Sequence, residues 1–319
     1  MEKMYDVICM GQVVQDIFVT NIPVNALTSE LDSFCAEELL LTLGGDAANE
    51  ASVLSSLGNK TALIARVGVK GKGNMLKECL EAKGVETSLL IRPSDCDNLS
   101  TVVVVKKDGN HTFFIGKDRN SGLFLEEVDT TVFDRTKVLS IGSLFTLEHL
   151  DTSGIELIAG KAQEKGVVTV ADMSFDLYGI GPGGLDKVYH FLDYLIPSYD
   201  EAMFVTGREG PEAMAEFFIE KGVKNVLIKL GEKGCFFKNS EKSFYCPSFK
   251  VTPIDTTGCG DAFVAGFIHS FLQGKSMEAC AEYACAVGAL NSQGIAGNLT
   301  IQSEEQVLQF MKQGRRNGD

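Results

Sequence analysis

Short apolar segments recur along the chain with helical segments between them, and this rhythm constrains the fold more than any other feature. Residues 5–10, closed by Gly11, and residues 61–67 read as strands around a helical stretch at 48–57. Residues 167–171, 194–196 and 225–230 repeat the strand signal, and a periodic helical segment at 212–221 separates the last two. Strands that are apolar throughout need cover on both faces. Alternated with helices, they predict an α/β fold, a mainly parallel sheet with helices on both faces. From Cys259 onward the pattern is helical, with Phe263, Phe267, Ile268 and Phe271 at helical spacing and a second such stretch at 277–290. A loop of small and polar residues at 291–298 leads to a last helix near 303–311, and the tail at 313–319 is polar.

Two stretches break the rhythm. Residues 101–105 and 111–115 are β-branched or aromatic runs joined by Lys106-Lys107-Asp108-Gly109-Asn110, whose Asp-Gly pair suits a tight hairpin. Residues 17–43 alternate loosely and carry no long helical pattern. Pattern alone leaves two readings for these stretches, a small sheet projecting from the main one or an ordinary edge hairpin.

Composition narrows the partners. The net charge of −14 is the reverse of the basic face that a phosphate-backbone binder needs, so no nucleic-acid partner is expected. The longest aliphatic run, Val102-Val103-Val104-Val105, falls far short of the roughly 20 residues that span a bilayer. Residues 1–6 lack the basic head and apolar middle of a signal peptide. No membrane association and a cytoplasmic location are therefore the expectation. Nine cysteines with no C-x-x-C spacing suggest reduced, mostly buried thiols rather than a disulfide framework or a zinc site. The four histidines show no pairing that suggests a metal or a triad, and no linker or repeat divides the 319 residues.

The most informative segment is Asp255-Thr256-Thr257-Gly258-Cys259-Gly260-Asp261-Ala262-Phe263. Glycines let a backbone turn its N–H groups toward one point, and the start of the helix that follows adds partial positive charge there. That is an anion site. An acid beside a bound phosphate has a use if it accepts a proton from an attacking hydroxyl, although Asp261 could equally stabilise the first helical turn. A carboxylate with an ordinary pKa near 4 is a weak base, which suffices if the proton leaves late. A second glycine site, Gly44-Gly45-Asp46-Ala47-Ala48-Asn49, directly precedes a helix. It permits close approach of a ligand and offers Asp46 and Asn49 to hydroxyls, or it is a Gly-Gly turn with a helix cap.

Taken together, G-G-x-x-x-N in the first third and D-T-T-G-x-G-D in the last third resemble the two signatures of the ribokinase-like carbohydrate kinases, the PfkB family. The resemblance covers nearly the whole chain, with Gly11 and Asp16, Pro197 and Glu201, and Leu230-Gly231-Glu232-Lys233-Gly234 in the expected order. It implies a single ribokinase-like domain over residues 1–319, with a small antiparallel β lid drawn from about 12–43 and 98–118. It implies ATP-dependent phosphorylation of a hydroxyl on a small sugar. By resemblance Asp261 is the general base, and the amides of Gly258, Cys259 and Gly260 hold the transferring phosphate. Asp16, Gly45, Asp46 and Asn49 face the sugar, and Lys229, Gly231 and Gly234 line the nucleotide. Glu201 acts on Mg2+ through water, while carbonyls of Asp255 and Thr257, with the 291–297 loop, offer a K+ site. A homodimer through the lid is the assembly the resemblance allows. Two carboxylates among the sugar-facing residues favour a neutral substrate.

The chain departs from the family pattern in four places. Cys259 stands where Ala is common, Ser198 where Asn precedes the Glu, and Lys229 where Thr is common. The Asp-x-Asn-x-Arg run reads Asp172-Met173-Ser174-Phe175-Asp176, without its basic residue. Lys229 either reaches phosphates or snorkels to solvent, and Arg119 either reaches the substrate or lies on the surface. A nucleoside kinase of the same fold, with Phe18, Phe113 or Phe114 beside the base, and a sugar-binding regulator without catalysis are the alternatives. An NAD-linked enzyme is disfavoured, because no G-x-G-x-x-G follows the first strand.

Overall fold

The first strand divides its side chains between two cores. Val7 and Cys9 belong to one and Ile8 and Met10 to the other, all four fully buried. A strand that is apolar on both faces must lie inside a covered sheet, and the computed structural model, which describes residues 3–107, 111–116, 120–151, 153–297 and 299–314, has this arrangement. In chain order the first half runs β1 (Tyr5–Gly11), β2 (Val14–Ile22), β3 (Leu39–Gly44), α1 (Asp46–Ser56), β4 (Thr61–Ile64), α2 (Lys72–Ala82), β5 (Leu99–Lys106) and β6 (His111–Ile115). Next come β7 (Thr136–Leu144), α3 (Ser153–Glu164), β8 (Val168–Met173), β9 (Tyr194–Leu195), α4 (Tyr199–Thr206) and α5 (Pro211–Glu220). The chain then adds β10 (Asn225–Lys229), β11 (Cys235–Asn239), β12 (Ser243–Cys246), α6 (Cys259–Leu272), α7 (Met277–Asn291) and α8 (Glu304–Gln313).

Eight strands form the main sheet in the order β12-β11-β10-β9-β8-β7-β1-β4. Every pairing from β4 to β10 is parallel, and β11 and β12 add an antiparallel hairpin at one edge. Buried residues of α1, α2, α6, α7 and α8 share one core with Val7 and Cys9, and those of α3, α4 and α5 share the other with Ile8 and Met10. The strand expected at 61–67 is shorter, because after Ile64 the chain pairs only through an isolated bridge from Arg66 to Ile91. The helix expected at 48–57 begins earlier, at Asp46, since Gly45 with φ 96° makes the turn into it.

The two stretches that break the rhythm build a second sheet, in the order β3-β2-β5-β6. Its outer pairings are antiparallel and its central one, β2 with β5, is parallel. The stretch at 17–43 is thus largely strand, and β2 buries every second residue at its start. A small core of its own, Phe18, Val103 and Ala296, joins this sheet to the loop after α7. Phe18 is fully buried there, so it packs the sheet and is not available to stack on a base; Phe113 and Phe114 remain exposed. The Asp108-Gly109-Asn110 turn, Arg119, Asn298 and residues 315–319 lie outside the described residues. Among the described residues no helix is long and apolar enough to cross a membrane.

Candidate active site

In an open α/β sheet, ligands bind beyond the carboxyl ends of the parallel strands. Here Asp172 sits near the end of β8 and Lys229 at the end of β10. The two glycine segments, far apart in sequence, meet above them. Gly258 takes a left-handed φ of 69° as the residue before α6, and its α-carbon is packed so closely against Gly297 that an added Cβ would lie 2.3 Å from it. Asp261 follows in the first turn of α6. Its Oδ2 accepts a hydrogen bond from Asn49 Nδ2 of α1 at 2.7 Å, so one contact joins both segments.

Neither Asp261 nor Asp46 is a helix cap. Gly258 and Gly45 occupy the cap positions of α6 and α1, with no side-chain cap bond at either. Asp46 instead accepts the Ser143 hydroxyl at the end of β7. Asp16 of β2 stands directly over Gly44, where a Cβ would meet its carboxylate at 2.0 Å. That contact gives the first glycine of the pair its purpose. At the second, Gly45, a Cβ would lie 2.5 Å from the Gln12 carbonyl oxygen, and the backbone needs its positive φ.

The first N–H groups of a helix have no partner within it. At α6 the Cys259 amide already donates to the Thr256 carbonyl at 3.2 Å, which leaves the amides of Gly258 and Gly260 as the better placed donors for an anion. The ammonium of Lys229 adds charge to the same spot: a Cβ on Gly260 would lie 3.1 Å from Lys229 Nζ. Lys229 does not snorkel to solvent. It donates to both oxygens of Asp172, at 2.6 and 2.7 Å, in a pair whose side chains are 13% and 3% exposed. Burial opposes the ammonium, but Asp172, Glu201 and Asp261 outweigh it and push Lys229 above its ordinary value.

Burial pushes Asp261 well above the ordinary carboxylate range, with Asp46, Glu50 and Asp172 adding to it and Asn49 opposing. Asp261 thus holds a proton more tightly than the exposed carboxyl near pKa 4 that its residue type suggests, because burial disfavours the charged form. Asp16 is raised to about 7 by burial first, then by Asp46 and Asp255.

Gly231 (φ 59°) and Gly234 (φ 97°) form the tight turn between β10 and β11, and a Cβ on Gly234 would lie 1.9 Å from the Cys246 carbonyl. Glu201 is tied into a capping box at the start of α4. Its Oε2 accepts the Ser198 N–H at 2.6 Å while Ser198 Oγ accepts the Glu201 N–H at 3.3 Å. The S-x-x-E spacing signals this, and it gives Ser198 a structural reason. Asp255 is 3% exposed; its Oδ1 accepts the Thr257 amide and hydroxyl and its Oδ2 the Ala296 amide.

Two acids escape a reading of the sequence. Asp172 stands there only as part of a broken motif, yet it holds Lys229. Glu50, directly after Asn49, is fully buried, accepts the Ser140 hydroxyl, and leaves Oε1 without a partner. A charged residue within the small-residue helix 46–52 is the available signal.

The family model described as pfkB family carbohydrate kinase matches residues 7–302. The chain belongs to the PfkB carbohydrate kinase family. A Haemophilus influenzae ribokinase is 26% identical over 300 residues, covering 91% of this chain and 94% of that protein. Among solved structures, the Thermotoga maritima ribokinase superposes with a TM-score of 0.81 at 24% identity, over 97% of this chain and 99% of the other. An E. coli protein solved in complex with ATP and Mg2+ superposes with a TM-score of 0.81 at 21% identity, over 98% and 99% of the two chains. These similarities establish the ribokinase-like fold and a carbohydrate kinase.

Glu50 yields a stability prediction. Burial raises its carboxyl from 4.5 to about 8, opposed by the Ser140 hydrogen bond and reinforced by Asp172 and Asp46. An acid whose folded pKa lies above its unfolded one contributes stability that is full below the unfolded value and is lost as pH rises through the folded value. Unfolding midpoints should therefore fall more steeply with rising pH, between about pH 5 and pH 9, for the parent than for Glu50→Gln, whose amide cannot ionise. Parallel slopes would show that Glu50 is ionised throughout.

Proposed function

We propose that this kinase transfers the γ-phosphoryl group of ATP to a hydroxyl of a small neutral sugar, with Asp261 as the general base. The observation that carries the reading is the Asn49–Asp261 hydrogen bond, which fixes a buried carboxylate beside the first turn of α6 and the Lys229 ammonium. The acceptor hydroxyl approaches Asp261 while the amides of Gly258 and Gly260, assisted by Lys229, receive the charge spread over the transferring oxygens. A loose phosphoryl transition state asks mainly for such positioning and charge stabilisation. Asp16, Asp46 and Asn49 accept and donate to sugar hydroxyls, and the second sheet covers them from above. The turn from Gly231 to Gly234 borders the nucleotide.

Mg2+ would neutralise the phosphates, and the donor set suits it: Glu201 keeps one oxygen clear of its capping box to act through water. K+ suits the loop beneath the anion site, where Asn291 Oδ1 is buried without a partner and Asn291 Nδ2 lies 3.4 Å from the Thr257 carbonyl. Leu39, Leu41, Phe113 and Phe114 on the second sheet are exposed, which supports a homodimer formed through this lid. Sedimentation at single-chain mass would remove that part of the reading.

Asp261→Asn should lower kcat by roughly 10²- to 10⁴-fold and leave sugar affinity nearly unchanged, as read by steady-state kinetics and calorimetry. Retained turnover would remove Asp261 from the base role. Binding without turnover in the parent chain would favour a regulator.

The charge of the substrate is testable separately. Two carboxylates near one small site repel an anion by about 4 kcal/mol per close pair at an effective dielectric near 20. Neutral pentoses and hexoses should therefore show higher kcat/KM than their phosphates or aldonic acids, and K+ should support a higher rate than Na+ at equal ionic strength. Preference for a phosphosugar that disappears in Arg119→Ala would place a cation over the sugar and overturn the neutral assignment.

A further inference from the structure

Three cysteines with no signature in their spacing meet at the edge of the main sheet. Cys235 opens β11 and Cys246 closes β12, and the two are partners across the antiparallel ladder. Partners across such a ladder point to the same face. The next pair on that face, Phe237 and Phe244, stack with ring centroids 5.0 Å apart, whereas Phe236 packs into the opposite core. Helix α7 covers the face of Cys235 and Cys246 and brings Cys285 to it.

The three sulfurs lie within 4.8 Å of one another, with Cys285 and Cys235 at 3.9 Å. All three residues are buried. Among the described residues no other His, Cys or carboxylate joins the group. The surroundings are otherwise apolar, and β12 is the outer strand of the sheet. Cys246 is the most exposed of the three, at 6%.

We propose that Cys235, Cys246 and Cys285 form a three-coordinate thiolate site for a soft metal ion, Cu(I). Thiolates select soft ions. A structural zinc site asks for four ligands in a tetrahedron, and the cluster offers three. Three sulfurs in a plane, each about 2.3 Å from a central ion, lie about 4.0 Å apart. The observed separations approach that triangle, and the widest needs to close by no more than roughly 0.8 Å. Loading breaks three S–H bonds, forms three S–Cu bonds and releases three protons to water, with no change in oxidation state. Affinity therefore weakens as pH falls. Hydrogen bonding to Cys235 and Cys246, with burial, pushes the Cys285 thiol well above its ordinary value.

The test is an anaerobic titration of the reduced full chain with Cu(I) against a chromophoric Cu(I) chelator, followed by the sulfur-to-copper absorption in the ultraviolet. About one equivalent should resist the chelator. Cys285→Ser should weaken it by at least about 10-fold, the loss that even an outer-shell change produces, while Cys35→Ser, at an exposed thiol, should leave it unchanged. Copper X-ray absorption on the parent chain, which needs no variant to fold, should count three sulfur neighbours at about 2.3 Å. Two neighbours, an unchanged affinity in a folded Cys285→Ser, a loss in Cys35→Ser, or tighter retention of Zn2+ than of Cu(I) would each overturn the proposal.

Discussion

The ammonium of Lys229 is what allows so many acids to stand together at the end of the main sheet. Asp16, Asp46, Glu50, Asp172 and Asp261 influence one another there, and mutual repulsion is among the causes that raise Asp16, Glu50 and Asp261. Like charges at such range cost several kcal/mol each in a partly dry site. The structure resolves this differently for each acid. Asp172 takes the ammonium, Asp261 takes the Asn49 amide, and Asp46 takes a serine hydroxyl. Burial raises Glu50 to about 8, which favours its neutral form. At the start of α6 the Lys229 ammonium lies beside the first amides of the helix.

Two departures from the family pattern find a common explanation in that ion pair. The run beginning at Asp172 has lost its basic residue, and position 229 has gained one. Taken singly in the sequence, the first looks like a defect and the second like a surface lysine. In space, the cation supplied by β10 meets the carboxylate supplied by β8. A linear reading cannot join them, because 57 positions separate the two and no local pattern links their strands.

The parallel sheet, the helices from Cys259 onward and both glycine segments are legible in the sequence because each rests on local chemistry: apolar runs, helical spacing, backbone freedom. The helices Lys72–Ala82, Ser153–Glu164 and Tyr199–Thr206 are not, nor is the strand Thr136–Leu144, in which Ser and Gly interrupt the apolar run. Tertiary packing overrides weak propensity there. The site is legible to the extent that its residues sit in motifs. Glu50 escapes because it sits inside a helix whose neighbours are small and apolar, and the raised pKa of Asp261 escapes because burial is a property of the assembled sheet. The cysteine trio depends on strand register and helix packing together, neither of which spacing records.

The second sheet has a core of its own, Phe18 with Val103 and Ala296, separate from the two that hold the main sheet. Leu43 ties β3 to the core beneath, whereas Phe18 of β2 and Val103 of β5 do not, so substitutions at these two positions can reshape the second sheet with the least disturbance of the main one. Selection can vary these two positions while the Lys229–Asp172 pair at the end of the main sheet stays as it is. A chain divided this way can change one of its sheets at little cost to the fold of the other.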